Sequence, residues 1–206
     1  MYKELTNNPA EREKIIYPWT YWDGAFELSE IDRIVQYCMK LPEKSAEILG
    51  ETSPEKIEKW RVSNVRFFHP DAENTWAFQK INGIIQALNE KYYNFDLNGY
   101  DAIQFTEYDG TREGKYDWHM DTEIGNVNRL GVVRKLSFVM NLTEPNSDYE
   151  GGEFQINTGT ENAAETVHLP KGRCIVFPSF LLHRVKPVTK GTRRSLVAWV
   201  VGPKFK

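Results

Sequence analysis

The 206-residue chain is 40% hydrophobic, 13% aromatic and 27% charged, the make-up of a globular protein with a real core and not of a disordered or low-complexity chain. Its net charge of −3, from 26 basic and 29 acidic residues, argues against a nucleic-acid binder, which needs a strongly basic surface. No apolar run reaches the roughly 18–20 residues of a membrane span, and Met1 to Asn8 lacks the apolar stretch of a secretory signal.

These priors predict one domain over residues 1–206, placed in the cytoplasm of a microbe or a virus-infected cell, with neither membrane nor nucleic acid as partner. Cys38 and Cys174 lie outside any CxxC spacing and read as reduced core thiols.

The chain enters through an aromatic stretch, Tyr17-Pro18-Trp19-Thr20-Tyr21-Trp22, read as irregular and as packing. Ser29 is placed to cap a helix in which Ile31, Ile34, Val35, Cys38 and Met39 fall at helical spacing, ending near Leu41-Pro42. Residues 43–59 are polar and read as loop or a short helix, and 61–68 reads as a strand. A second helix is expected over 75–90, with Phe78, Ile81, Ile84, Ile85 and Leu88 on one face. After Tyr100 come short alternating or β-branched segments: 102–108, 135–142, 153–157, 166–169, 173–177, 181–188 and 194–201. Such strands separated by Gly, Asn, Asp and Pro predict an antiparallel sandwich or barrel. The expected architecture is α+β and mainly β: a double-stranded β-helix (jelly roll) over 101–206, buttressed by a helical segment over 1–100.

Within this frame, His119-Met120-Asp121 places an imidazole and a carboxylate on one side of an extended segment. His183 sits in Leu182-His183-Arg184-Val185-Lys186, where alternation sends Arg184 and Lys186 to solvent and His183 inward. Two His and one carboxylate with open positions suit non-haem Fe(II), and equally catalytic zinc. Arg193 follows ten residues after His183, and on an antiparallel strand Arg193 and Ser195 would share an inner face with Val197 and Trp199. A buried guanidinium needs an anion, and the carboxylate of a 2-oxo acid whose other end chelates the metal fits it. A zinc hydrolase would need a nearby base, for which Glu123 is the candidate, and a non-catalytic cupin-like module has no use for a buried carboxylate clamp.

The HxD at 119–121, His183, and Arg193 within Gly191-Thr192-Arg193-Arg194-Ser195-Leu196 resemble the 2-oxoglutarate- and Fe(II)-dependent dioxygenases, and more narrowly their prolyl 4-hydroxylase-like, PKHD-type branch. Tyr108-Asp109-Gly110, Tyr149-Glu150-Gly151-Gly152-Glu153, Phe177-Pro178-Ser179 and His183-Arg184-Val185 extend the resemblance from about residue 100 to 202. It implies His119, Asp121 and His183 as iron ligands and Arg193, with Ser195, as the clamp for 2-oxoglutarate. Tyr108 and Tyr116 match co-substrate positions, whereas Asn141 departs from a Tyr that such enzymes can place there. Fe(II), 2-oxoglutarate and O2 are the implied cofactors, with ascorbate as a further one. A peptidyl proline is the leading substrate, a free amino acid or small metabolite the alternative, and a monomer or homodimer the expected assembly. Residues 122–134 are the expected lid, Trp118 a candidate substrate contact, and Gly151-Gly152 a structural turn.

Overall fold

The computed structural model describes residues 17–45, 53–122, 131–160 and 163–204. Two antiparallel sheets form the frame. The larger runs, in spatial order, β1 (Thr20–Trp22), β11 (Cys174–Pro178), β7 (Val132–Asn141), β13 (Val188–Pro203), β5 (Gly99–Asp109), β4 (Asn64–Phe67) and β2 (Lys44–Ser45), with β8 (Tyr149–Gly151) paired to the start of β13. The smaller runs β10 (Ala164–Val167), β9 (Phe154–Asn157), β12 (Leu182–Val185), β6 (Lys115–His119) and β3 (Arg61–Val62). This is the expected double-stranded β-helix.

Alternation along β13 explains how it holds together. Leu196, Ala198 and Val200 join a cluster with Phe105, Leu136, Phe138 and Met140 that packs on Ile31, Ile34 and Cys38 of α1 (Leu28–Met39) and on Ile81, Ile84, Ile85 and Leu88 of α3 (Thr75–Leu88). The opposite face meets a second cluster, built from both sheets: Tyr108, Val139, Tyr149, Ile175 and Phe177 with Phe154, Ile156, Val167 and Val185. The larger sheet is therefore covered on both faces, by helices on one and by the smaller sheet on the other. That is why its central strands read as nearly continuous apolar runs.

Several expectations are corrected. The cap of α1 is Glu27, not Ser29: the Glu30 carboxylate accepts the Glu27 amide at 2.9 Å, so the helix starts earlier and Ser29 lies inside it. The aromatic entry is in part the edge strand β1, in register with β11 through Thr20↔Val176. The polar stretch, by contrast, contains a short helix as expected, α2 (Pro54–Trp60). Residues 61–68 do not form one strand, because the chain changes sheets at Ser63: Arg61 pairs with Tyr116 of β6, while Val65 pairs with Thr106 of β5. The expected strand over 181–188 ends at Val185, and β13 begins at Val188. α3 stops at Leu88 and continues into a π-helical turn, Asn89–Tyr93, closed by left-handed Asn94. Among the described residues no helix is long and apolar enough to cross a membrane. Cys38 and Cys174 are buried and free, as expected.

Candidate active site

β6 and β12 lie side by side with His119 and His183 as direct register partners. The backbone then turns at the end of β6, where the Asp121 amide donates to Ser179 O at 2.9 Å, bringing its carboxylate back under both rings. His119 Nε2 lies 3.6 Å from Asp121 Oδ1 and His183 Nε2 3.4 Å from Asp121 Oδ2. One ligating atom from each of the three residues fits within 4.8 Å of the others. His119 Nδ1 is 2.8 Å from Asp117 O and His183 Nδ1 is 2.9 Å from Leu181 O. Those carbonyls hold the ring proton on Nδ1 and leave the Nε2 lone pairs facing the centre. Burial, then the neighbouring His183, push His119 down to about 3, so its ring is neutral at pH 7. For Asp121 burial acts upward, yet His183, His119 and the Ser137 hydrogen bond outweigh it and hold the carboxylate below its ordinary value. Two imidazole nitrogens and a carboxylate oxygen thus converge on one point, a donor set that fits a divalent cation such as Fe(II).

The neighbours fix these ligands. Ser137 Oγ donates to Asp121 Oδ2 at 2.6 Å and is itself 3.0 Å from Ser179 Oγ. Tyr116 stacks on the His119 ring (centroids 3.4 Å, 14° between planes), and the Arg61 guanidinium lies over Tyr116 at 4.4 Å. Phe177 and Phe154 stand 4.8 and 5.7 Å from His183 and make that side of the site apolar. Sequence reasoning missed Ser137, Ser179 and Arg61. Only Ser137 carried a signal: it is the one polar residue in Leu136-Ser137-Phe138-Val139-Met140, on the face that looks into the barrel.

Arg193 is 1% exposed and among the described residues forms no ion pair. Its Nη1 reaches Ser195 Oγ at 3.4 Å, its Nη2 has no partner, and its guanidinium lies 5.5 Å from the Tyr108 ring centroid. A buried cation with an unused N–H is a site for an anion, so these residues fit a carboxylate such as that of 2-oxoglutarate. Arg194 points the other way and pairs with Glu107 at 3.0 Å.

The remaining predicted positions divide. Tyr108, 4% exposed, lies beside Arg193 in the barrel, whereas Tyr116 lies against His119. Trp118, the candidate substrate contact, lies under the Arg184 guanidinium at 4.5 Å, and Arg184 Nε donates to Gln155 of the neighbouring strand β9. Arg134, at the far end of the expected lid, is the third residue of β7; residues 123–130 of that lid lie outside the described residues.

Residues 103–201 match the family model of the 2OG-Fe(II) oxygenase superfamily. A PKHD-type hydroxylase of Idiomarina loihiensis is 40% identical over 85 residues, covering 41% of this chain and 36% of that protein. The chain thus aligns with well under half the length of this curated relative. Among solved structures, a Pseudomonas putida prolyl-4-hydroxylase superposes with a TM-score of 0.70 at 17% identity, over 91% of this chain and 94% of its own. A Trichoplax adhaerens prolyl hydroxylase in complex with a hypoxia inducible factor oxygen degradation domain peptide fragment superposes with a TM-score of 0.69 at 18% identity, over 89% and 83%. Both share the double-stranded β-helix.

Proposed function

We propose that the chain, whose residues 103–201 match the model of the 2OG-Fe(II) oxygenase superfamily, is a member of it and a hydroxylase of peptidyl proline. The observation that carries this reading is the pairing of a convergent His119–Asp121–His183 set with a buried, unpaired Arg193 inside one barrel. A zinc hydrolase needs the first feature and not the second. When bound, Fe(II), 2-oxoglutarate and O2 supply the oxidation: a substrate C–H becomes C–OH while 2-oxoglutarate is converted to succinate and CO2.

In this reading His119, Asp121 and His183 hold the metal, and their Nδ1 and Ser137 hydrogen bonds fix ring and carboxylate orientation before any ligand arrives. Arg193 and Ser195 hold the distal carboxylate of 2-oxoglutarate, with Tyr108 as the wall of that pocket. Phe154, Phe177 and Ile156 keep water from the buried side. The Trichoplax neighbour's peptide supports a polypeptide substrate.

The test is incubation with Fe(II), 2-oxoglutarate, ascorbate and proline-containing peptides, following succinate and a gain of one oxygen atom on the peptide. Succinate formed together with oxidised peptide supports the reading. Succinate formed only with free amino acids or other small molecules transfers the activity to that substrate class. No substrate-dependent succinate contradicts the proposal.

A further inference from the structure

Resting on the 2-oxoglutarate reading above, we infer that Tyr149 is a second direct partner of the distal carboxylate, supplying a phenolic hydroxyl opposite the Arg193 guanidinium. Tyr149 is 5% exposed and belongs to the same interior cluster as Tyr108, Val139 and Phe177. It arrives on β8, which pairs with the first part of β13 through Tyr149↔Gly191, just ahead of Arg193.

Gly152 shows how close the two side chains come. A Cβ there would stand 3.0 Å from Arg193 Cδ and 3.3 Å from Tyr149 Cε2, so the guanidinium stem and the phenol ring pack over the same backbone atom. Gly152 also has φ +65°, a conformation that disfavours a side chain in its own right. The Gly151-Gly152 turn is therefore part of the pocket wall and not only an entry to a strand.

The phenol oxygen is placed next to the strand residue that faces Ser195. Asn141 is the register partner of Ser195, and its Nδ2 reaches Tyr149 Oη at 3.4 Å. Asn141 offers no donor of its own to an anion: Nδ2 is already given to Thr143 O and Leu169 O, each at 2.7 Å. With both Nδ2 hydrogens spent on those carbonyls, the 3.4 Å approach is a contact only, and among the described residues the Tyr149 hydroxyl proton has no acceptor. An unspent O–H and an unspent Nη2–H on neighbouring side chains make a two-pronged donor site, which matches the two oxygens of a carboxylate.

The test uses the whole chain and its Tyr149→Phe variant, loaded anaerobically with Fe(II) and titrated calorimetrically. The ligands are 2-oxoglutarate and 2-oxopentanoate, which has the same chain without the distal carboxylate. Phe keeps the ring packing and removes only a hydroxyl held by one long contact, so the fold is retained. A hydrogen bond to a charged group is worth about 10- to 100-fold in affinity. Y149F is expected to weaken 2-oxoglutarate by that factor and leave 2-oxopentanoate within about twofold. Equal weakening of both ligands, or of neither, overturns the assignment of Tyr149. A wild-type chain that binds Fe(II) but does not prefer 2-oxoglutarate to 2-oxopentanoate instead contradicts the co-substrate reading itself.

Discussion

Ser137 on β7 donates its hydroxyl to Asp121 Oδ2 at 2.6 Å, so a residue of the larger sheet braces a carboxylate presented beside the smaller one. The smaller sheet, with the turn at the end of β6, presents all three ligands, and the larger one braces the carboxylate among them. Loss of such a brace typically costs 10- to 100-fold in metal affinity. Ser137→Ala is expected to weaken Fe(II) binding by about that factor, read by competition with a chelator, without loss of fold. Unchanged affinity would show that Asp121 is held by Ser179 and the backbone alone.

Arg193 and Arg194 are adjacent in sequence and opposite in environment. Arg193→Ala is expected to raise the KM for 2-oxoglutarate by one to two orders of magnitude, since a charge-assisted pair is lost, while Fe(II) affinity stays nearly intact. Arg194 serves a network on the other face, where Glu107 also contacts Arg66 and Arg66 meets Glu43 at 2.5 Å. Arg194→Ala should lower the melting temperature and leave that KM within about twofold. Steady-state kinetics on both variants decides it; a reversed pattern would mean the two roles are exchanged.

Phe138 and Val139 make the same point for packing. Phe138 is fully buried on the helix side of β7, and Val139 faces the barrel. Phe138→Ala is expected to cost about 3–5 kcal/mol of stability, measured by denaturant unfolding. Phe138→Leu should lower stability by less and leave 2-oxoglutarate binding unchanged. A binding loss in Phe138→Leu would indicate that the two faces are coupled.

The two thiols supply a pH test. Burial pushes Cys38 up to about 12 from an ordinary 9.0 and raises Cys174 as well. A raised folded-state value favours the neutral thiol in the fold. That contribution is therefore complete below about pH 9 and is lost as pH rises toward 12. The native chain should ignore a thiol reagent at pH 8 and react at both cysteines once unfolded. Rapid modification of the native chain at pH 8 would place a thiol at the surface.

Much of this was legible because it rests on strict periodicities. Ile81, Ile84, Ile85 and Leu88 announce α3, and the alternation through β13 sends Arg193 inward. The strand β6 was not legible: Lys-Tyr-Asp-Trp-His has no apolar alternation, because its pairing with β12 shifts register between His119 and Tyr116 and brings both rings to the inner side. The split at Ser63 was hidden for a different reason. A switch between sheets depends on which strands lie nearby, and Arg61-Val62 and Asn64–Phe67 look alike locally. Tyr149 escaped because its value comes from Gly152, Asn141 and Arg193, three positions that only the folded chain brings together.

The central claim is that one barrel holds both a metal and a 2-oxo acid that chelates it. It is tested by adding Fe(II) to metal-free protein without oxygen and titrating 2-oxoglutarate while recording the visible spectrum. A saturable charge-transfer band is expected in the wild type, absent in Asp121→Ala and shifted to higher 2-oxoglutarate concentration in Arg193→Ala. Tight Fe(II) binding with no band at any 2-oxoglutarate concentration would contradict the oxygenase account.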